Sequence, residues 1–348
     1  ALTAIVVGFV GVGISFLSGQ VESFTVYLIG AFVSGFSMCM LNAVVNPMLN
    51  TLGGGGNRGN QLVQFGGSCN SIGATIVPVL VGYLMGDVYS ASISKANPAL
   101  FLAMGIFALA FIVLSFVKIP EPHLVTAKKE KEKPSPFSFR HFVLGTLAIF
   151  FYVGVEVGIA NFANLFMTQS VDKGGLAIDT TVAGTIAGTY WFLMLIGRLT
   201  GASLGAKFSS KSMLTFVSSL GILLILLAIF LPLSTTVNMP VFKSDISFGL
   251  AEVPIGIMLM ILCGLCTSVM WGNIFNLAVE GLGKYTAAAS GIFMVMVCGG
   301  GVLPLIQGAV ADGFGYLASF WVIIVALAYI LYYAQVGSRN VNKDIPVE

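Results

Sequence analysis

Long apolar runs broken by short polar clusters organise the whole chain. A membrane-spanning helix needs about 20 largely apolar residues, and such spans fall near 2–19, 24–50, 61–86, 98–118, 141–168, 181–206, 212–234, 254–279, 288–311 and 315–336. The pattern therefore predicts ten transmembrane helices. Between the fourth and fifth, residues 119–140 are polar, rich in Lys and interrupted by Pro, which reads as a solvent-exposed linker. Three segments follow: an N-terminal bundle (1–118), the linker (119–140) and a C-terminal bundle (141–348).

The polar punctuation repeats. Gly73-x₄-Pro78-x₃-Gly82 recurs as Gly299-x₄-Pro304-x₃-Gly308, an offset of 226, and "NPMLNTLG" ending at Gly53 parallels "NLAVEGLG" ending at Gly283, an offset of 230. The second and third spans thus answer to the eighth and ninth, and Asn46 is matched with Asn276. Both pairs cross the membrane in the same sense, which makes this a parallel repeat. If each half holds six helices, the first half begins roughly 85 residues before Ala1, within the usual boundary error. Two helices are then expected upstream.

Composition agrees with the spans. The 348 residues are 57% hydrophobic and only 9% charged, against about 25% charged in soluble domains. A net charge of +2 with no basic recognition tract excludes a nucleic-acid partner. If the linker is cytoplasmic, alternation leaves only Lys95, Lys173 and Lys243 of the 16 Lys and Arg outside. That bias predicts a cytoplasmic carboxyl end. The five cysteines lie in apolar stretches and read as small packing residues, Cys263-x-x-Cys266 included, since no histidine or second pair completes a metal site. His123 and His141 flank the linker as a solvated or interfacial pair. "GGGGNRGN" lacks the Lys-Ser/Thr of a phosphate loop, so nothing points to an ATP-driven pump.

Candidate chemistry lies in the polar residues at membrane depth, each costly unless it faces a partner or water. Asn42, Asn46 and Asn50 drift by only about 40° per step on a helix and form one stripe. Gln64, Ser68, Ser71 and Thr75 form a second, on the third span; Asn273, Asn276 and Glu280 form a third, on the eighth, with Glu280 at its cytoplasmic end. Glu156 sits near the middle of the fifth span, with Asn164 about 80° and Asn161 about 140° round from it. An acid at that depth is a candidate to carry a proton or, ionised, to hold a cation. Trp271 becomes a stacking ring if Gly272 unwinds its helix. Arg198 lies a turn or two from the cytoplasmic loop, where it is expected to snorkel or pair with a cytoplasmic acid and act as a gate. No Ser/His/Asp, acid-pair or His-metal constellation appears at depth, so the chain does not read as an enzyme.

These residues carry a family resemblance. The half-to-half repeat, the central loop and "GR-x-x-G" before "KFSSK" resemble the major facilitator superfamily. Within it, "NPMLNTLG", "RGNQLVQFGGSCNSIGA", "FFYVGVEVGIANF" and "SGIFMVMVCGGGVLPLIQGAVAD" are similar to the fucose permease and glucose/galactose permease family, over essentially the whole chain. The resemblance implies an all-α fold of twelve helices in two pseudo-symmetric bundles, ten of them present. It also implies a monomer in a bacterial inner membrane that imports a hexose by cation-coupled symport, with a proton or sodium as the coupling ion and no other cofactor. Glu156 fits the Tyr-Val-Gly-x-Glu-Val pattern of the glucose/galactose branch, where fucose permeases carry Gln. Asn42 stands where fucose-proton symporters keep an acid, and Asn70 matches a sugar-contacting asparagine. The expected sugar site therefore comprises Asn42, Asn46, Asn70, Glu156, Asn161, Asn164, Asn273 and Asn276, with Glu156 also the coupling group and Arg198 the gate. A transporter of another small polar solute and a non-transporting sugar sensor are the alternatives.

Overall fold

The computed structural model describes residues 1–54, 56–85, 96–117, 135–205, 207–243, 247–342 and 344–345, with side chains at all of these except 74, 75 and 78–85. Most of the expected linker, including His123, lies outside the described residues, as do Lys95 and Lys343. The chain forms two compact units, one of Ala1–Met48 with Ile76–Lys133 and the other of Leu49–Thr75 with Pro134–Glu348.

The helices are α1 (Leu2–Gln20), α2 (Phe24–Leu52), α3 (Gly56–Met85), α4 (Asn97–Phe116), α5 (Arg140–Thr168), α6 (Thr180–Leu204), α7 (Ser210–Phe230), α8 (Ile255–Ser268), α9 (Met270–Val279), α10 (Thr286–Val295), α11 (Gly299–Phe314) and α12 (Tyr316–Tyr332). Taken together, α8 with α9 and α10 with α11 each make one crossing, so a helix is found for each expected span, and among the described residues nine crossings are long and apolar enough to traverse a membrane. In the repeat, α2 and α3 are continuous, α2 even through Pro47. Their counterparts are interrupted, at Val269 and over Met296–Cys298.

In the first unit α1 packs on α2 and α4 through small residues. A Cβ at Gly11 would collide with the Ser34 backbone, so these helices approach to backbone contact. Ser37, buried between them, donates from its hydroxyl to the Ala4 carbonyl at 2.6 Å.

In the second unit α5 is the central helix. Its buried side chains face α6, α8, α9, α11 and α12, and Gly154 admits the Leu303 side chain against the α5 backbone. The N-terminus of α6 is capped by Asp179, which accepts from the Thr181 and Val182 amides at 2.9 and 3.2 Å, and that of α7 by Ser209; both supply acceptors for otherwise unpaired helix N–H groups. Between α7 and α8 the chain forms an antiparallel hairpin of β1 (Thr236–Phe242) and β2 (Phe248–Pro254), with Val237 opposite Val253. Alternate residues Met239 and Val241 face inward, Phe242 stacks on Phe192 of α6 at 4.5 Å, and the Phe242 amide donates to Thr189 Oγ1 at 2.9 Å. This element follows from no span signal, and the hydropathy reading leaves it unassigned.

Candidate functional site

The second unit is organised round the interruption between α8 and α9. At Val269 (φ −100°, ψ −6°) the helix ladder is interrupted; Val269 O still accepts the Asn273 amide, at 3.3 Å, whereas Ser268 O takes a donor from another helix. Two side chains from other helices supply donors. Gln64 Nε2 of α3 donates to Val269 O at 2.8 Å, and Arg198 Nε of α6 donates to Ser268 O at 3.3 Å. Asn273 Nδ2 also donates to Val269 O, at 2.8 Å. Gly272 makes the approach of Gln64 feasible, since a Cβ there would stand 2.8 Å from Gln64 Nε2 and 3.1 Å from Asn60 Oδ1.

Two further amide pairs extend the contact between the α2–α3 hairpin and α9. Asn60 Nδ2 donates to Asn273 Oδ1 at 2.9 Å, and Asn50 Nδ2 to Asn276 Oδ1 at 3.0 Å. Asn276 passes its own Nδ2 to Ser210 Oγ at 2.9 Å. The hairpin formed by Leu49–Thr75 thus docks on the C-terminal helices through side-chain amides.

Arg198 is the hub of the same surface. Besides Ser268 O it reaches Gly67 O at 3.0 Å and Ser71 Oγ at 2.8 Å, both on α3, and pairs with Glu156 Oε1 of α5 at 3.3 Å. The side chains are 8% and 15% exposed respectively. This corrects the expectation that Arg198 snorkels or meets a cytoplasmic acid: its partner is the acid in the middle of α5. The reason is geometric, for Gly67 leaves open space beside α3 that the guanidinium stem occupies.

The predicted residues have different fates. Within the second unit, Glu156 joins Arg198, while Asn273 and Asn276 are buried and already engaged. Asn161 is exposed. Asn164 keeps a buried side-chain oxygen without a partner, although its backbone carbonyl accepts from Thr168. On α3, Gln64, Ser68 and Ser71 are buried and Asn70 is exposed, so Asn70 does not share their face. The side chain of Thr75 lies outside the described residues. In the first unit, Asn42 bonds back to Met38 O at 3.1 Å, and Asn46 is buried with an unpaired Nδ2. Trp271 lies within α9, because the interruption falls at Val269 and not at Gly272; its ring meets Tyr152 and Phe293 edge to face. His141, read as solvated or interfacial, is buried, and its Nε2 donates to the Glu280 carbonyl at 2.9 Å, because α5 seats its first turn against the end of α9. Cys263 and Cys266 are buried and free.

Sequence reasoning missed two participants. Asn60 lies one turn before Gln64 and extends its stripe, a signal present in the spacing. Tyr152, one turn before Glu156, stands in the Tyr-Val-Gly-x-Glu-Val pattern, which gives it no role of its own.

Membrane-spanning helices arranged in a parallel repeat, with charge buried among those of the C-terminal part, define a polytopic transporter-type protein. The sequence profile of the Major Facilitator Superfamily matches residues 2–303, and the chain belongs to that family, whose members are transporters and not enzymes. A glucose/galactose transporter of Brucella abortus biovar 1 (strain 9-941) is 27% identical over 345 residues, which cover 97% of this chain and 78% of that protein. A putative glucose/galactose transporter of Helicobacter pylori (strain J99 / ATCC 700824) is 28% identical over 360 residues, covering 97% and 81%. The L-fucose-proton symporter of Escherichia coli (strain K12) is 22% identical over 363 residues, covering 96% and 76%. The fold matches a crystal structure of the transporter FucP in the outward conformation with a TM-score of 0.79 at 20% identity, over 97% of this chain and 82% of that one.

Proposed function

We propose that this protein imports a hexose, glucose or galactose in preference to fucose, by cation-coupled symport with alternating access. The observation that carries the reading is the Glu156–Arg198 pair, a charge pair held among membrane-spanning helices and tied to the docking of the α2–α3 hairpin. Removing one partner of a buried pair leaves an uncompensated charge, at a cost of about 3–5 kcal/mol. Any event that neutralises Glu156 therefore weakens the hold on Arg198, and with it the contacts to Gly67 and Ser71. The acid is the coupling group and the arginine the gate.

A proton suits this arrangement better than sodium. Sodium at Glu156 would bring a second cation beside the guanidinium, whereas a proton removes the charge that attracts it. For the sugar, Asn164 offers an unused acceptor and, in the first unit, Asn46 an unused donor; amides suit hydroxyls, which both donate and accept. Asn42, Asn70 and Asn161 complete the proposed contacts, while Asn273 and Asn276 join them only after releasing Asn60 and Asn50. The names of the bacterial relatives support sugar as the substrate and a bacterial inner membrane as the location.

Radiolabelled glucose, galactose and fucose uptake into proteoliposomes, under imposed proton or sodium gradients, tests the reading. Concentrative glucose or galactose uptake driven by the proton gradient is expected. Indifference to all three sugars would sink it, and uptake driven by sodium alone would overturn the proton assignment. Glu156→Gln is expected to lose accumulation and keep sugar exchange; accumulation that persists would remove Glu156 as the coupling group.

A further inference from the structure

At the end of the second unit that the Lys and Arg distribution reads as cytoplasmic, a cavity of about 810 Å³ opens among residues of that unit alone. Its size is that of a site for a small solute. One wall is the turn of the α2–α3 hairpin, with Asn50 and Asn57. The other is the start of α7 and the stretch after α12, with Lys211, Arg339 and Asn340, and Glu280 at the end of α9 lines the cavity as well.

Lys211, Arg339 and Glu280 share this one space, yet among the described residues none of the three forms an ion pair. The serines beside Lys211 are already engaged. Ser209 Oγ caps α7 by accepting the Ser212 amide at 3.2 Å, and Ser210 Oγ accepts from Asn276. The two cations, and not the end of α7, are therefore the unengaged donors of the cavity.

A phosphomonoester dianion takes charge-assisted hydrogen bonds from an arginine and a lysine together. Glu280 repels a bare anion, but a carboxylate among primary amides suits hydroxyls, which donate to the first and both donate to and accept from the second. The set thus matches a solute that carries a phosphate and hydroxyls, a phosphorylated sugar. Position decides what its binding does. Asn50 and Asn276 line the cavity and hold one another at 3.0 Å, one of the contacts that dock the hairpin on α9. A solute that bridges Asn57 to Lys211 or Arg339 spans the same two walls and favours the docked arrangement over the released one.

We propose that this cavity is an inhibitory site for a hexose monophosphate, which holds the hairpin docked and slows sugar uptake. The inhibition rests on the transport reading above; the binding does not.

Calorimetry on the full chain in phosphatidylcholine nanodiscs, with excess glucose present to fill the transport site, tests the binding. Glucose 6-phosphate should bind saturably, at least about tenfold more weakly in Lys211→Gln and in Arg339→Gln, whereas Lys211→Arg keeps the charge and should keep the binding. No saturable binding, or displacement by glucose, would overturn the site. Inorganic phosphate binding equally well would overturn the sugar assignment, and loss of the ester's binding in phosphatidylglycerol nanodiscs would give the site to a lipid headgroup. Supplied on the Arg339 side of vesicles, the ester should cut glucose uptake about fivefold or more, and Lys211→Gln should resist the same concentration. Binding that leaves uptake unchanged would overturn the inhibition. A protein that moves no hexose at all would instead sink the transport reading, with the calorimetry still deciding the site.

Discussion

At the scale of single residues, the three asparagines of α2 show how one stripe divides its labour. Asn42 is turned back on its own helix, Asn46 keeps an unused donor, and Asn50 is spent on Asn276. Spacing puts them on one face; it does not say which of them is free. Gly272 is the complementary case, a residue whose role is to be absent. Gly272→Ala would push a methyl group into Gln64, breaking its bond to Val269 O, and is expected to lower stability by about 1–3 kcal/mol. Thermal unfolding in detergent reads this as a lower midpoint. The loss should be smaller in a Gln64→Ala background, where there is no side chain to displace, and a full additive loss would place the strain elsewhere.

Among the elements, the hydropathy of the chain made the crossings legible, because twenty apolar residues have few other uses in a protein. The eighth span, read over 254–279, is found as α8 and α9 over Ile255–Val279. Its interruption was not legible. "IGIMLMILCGLCTSVMW" is apolar throughout, and the lapse at Val269 is stabilised by Gln64 and Arg198, which lie far away in sequence. The partner of Arg198 was hidden for the same reason, since a pair formed across two helices leaves no mark in the spacing of either. The β1–β2 hairpin was missed because seven-residue strands between two spans look like any polar connection. The docking of the α2–α3 hairpin on α9 makes its own prediction. With Asn50→Cys and Asn276→Cys in a background freed of native cysteines, a short bis-thiosulfonate linker should stop sugar uptake, and reduction should restore it. Uptake undiminished by complete cross-linking would separate this docking from transport.

For the whole molecule, the distribution of Lys and Arg sets an orientation that labelling can check. In the same cysteine-free background, Arg339→Cys should escape a membrane-impermeant maleimide in intact cells and react in inverted vesicles, while Lys173→Cys should do the reverse. Both positions are exposed, so reactivity reports sidedness and not burial. The interruption at Val269 has a consequence on this scale as well. Val269 O keeps the Asn273 amide and side chain of its own helix when Gln64 leaves, but the Ser268 carbonyl is served by Arg198 of α6, and hydrocarbon has no donor to offer in its place. When Arg198 lets go of that carbonyl, water must take over. Release of the arginine and wetting of the interruption are therefore a single event.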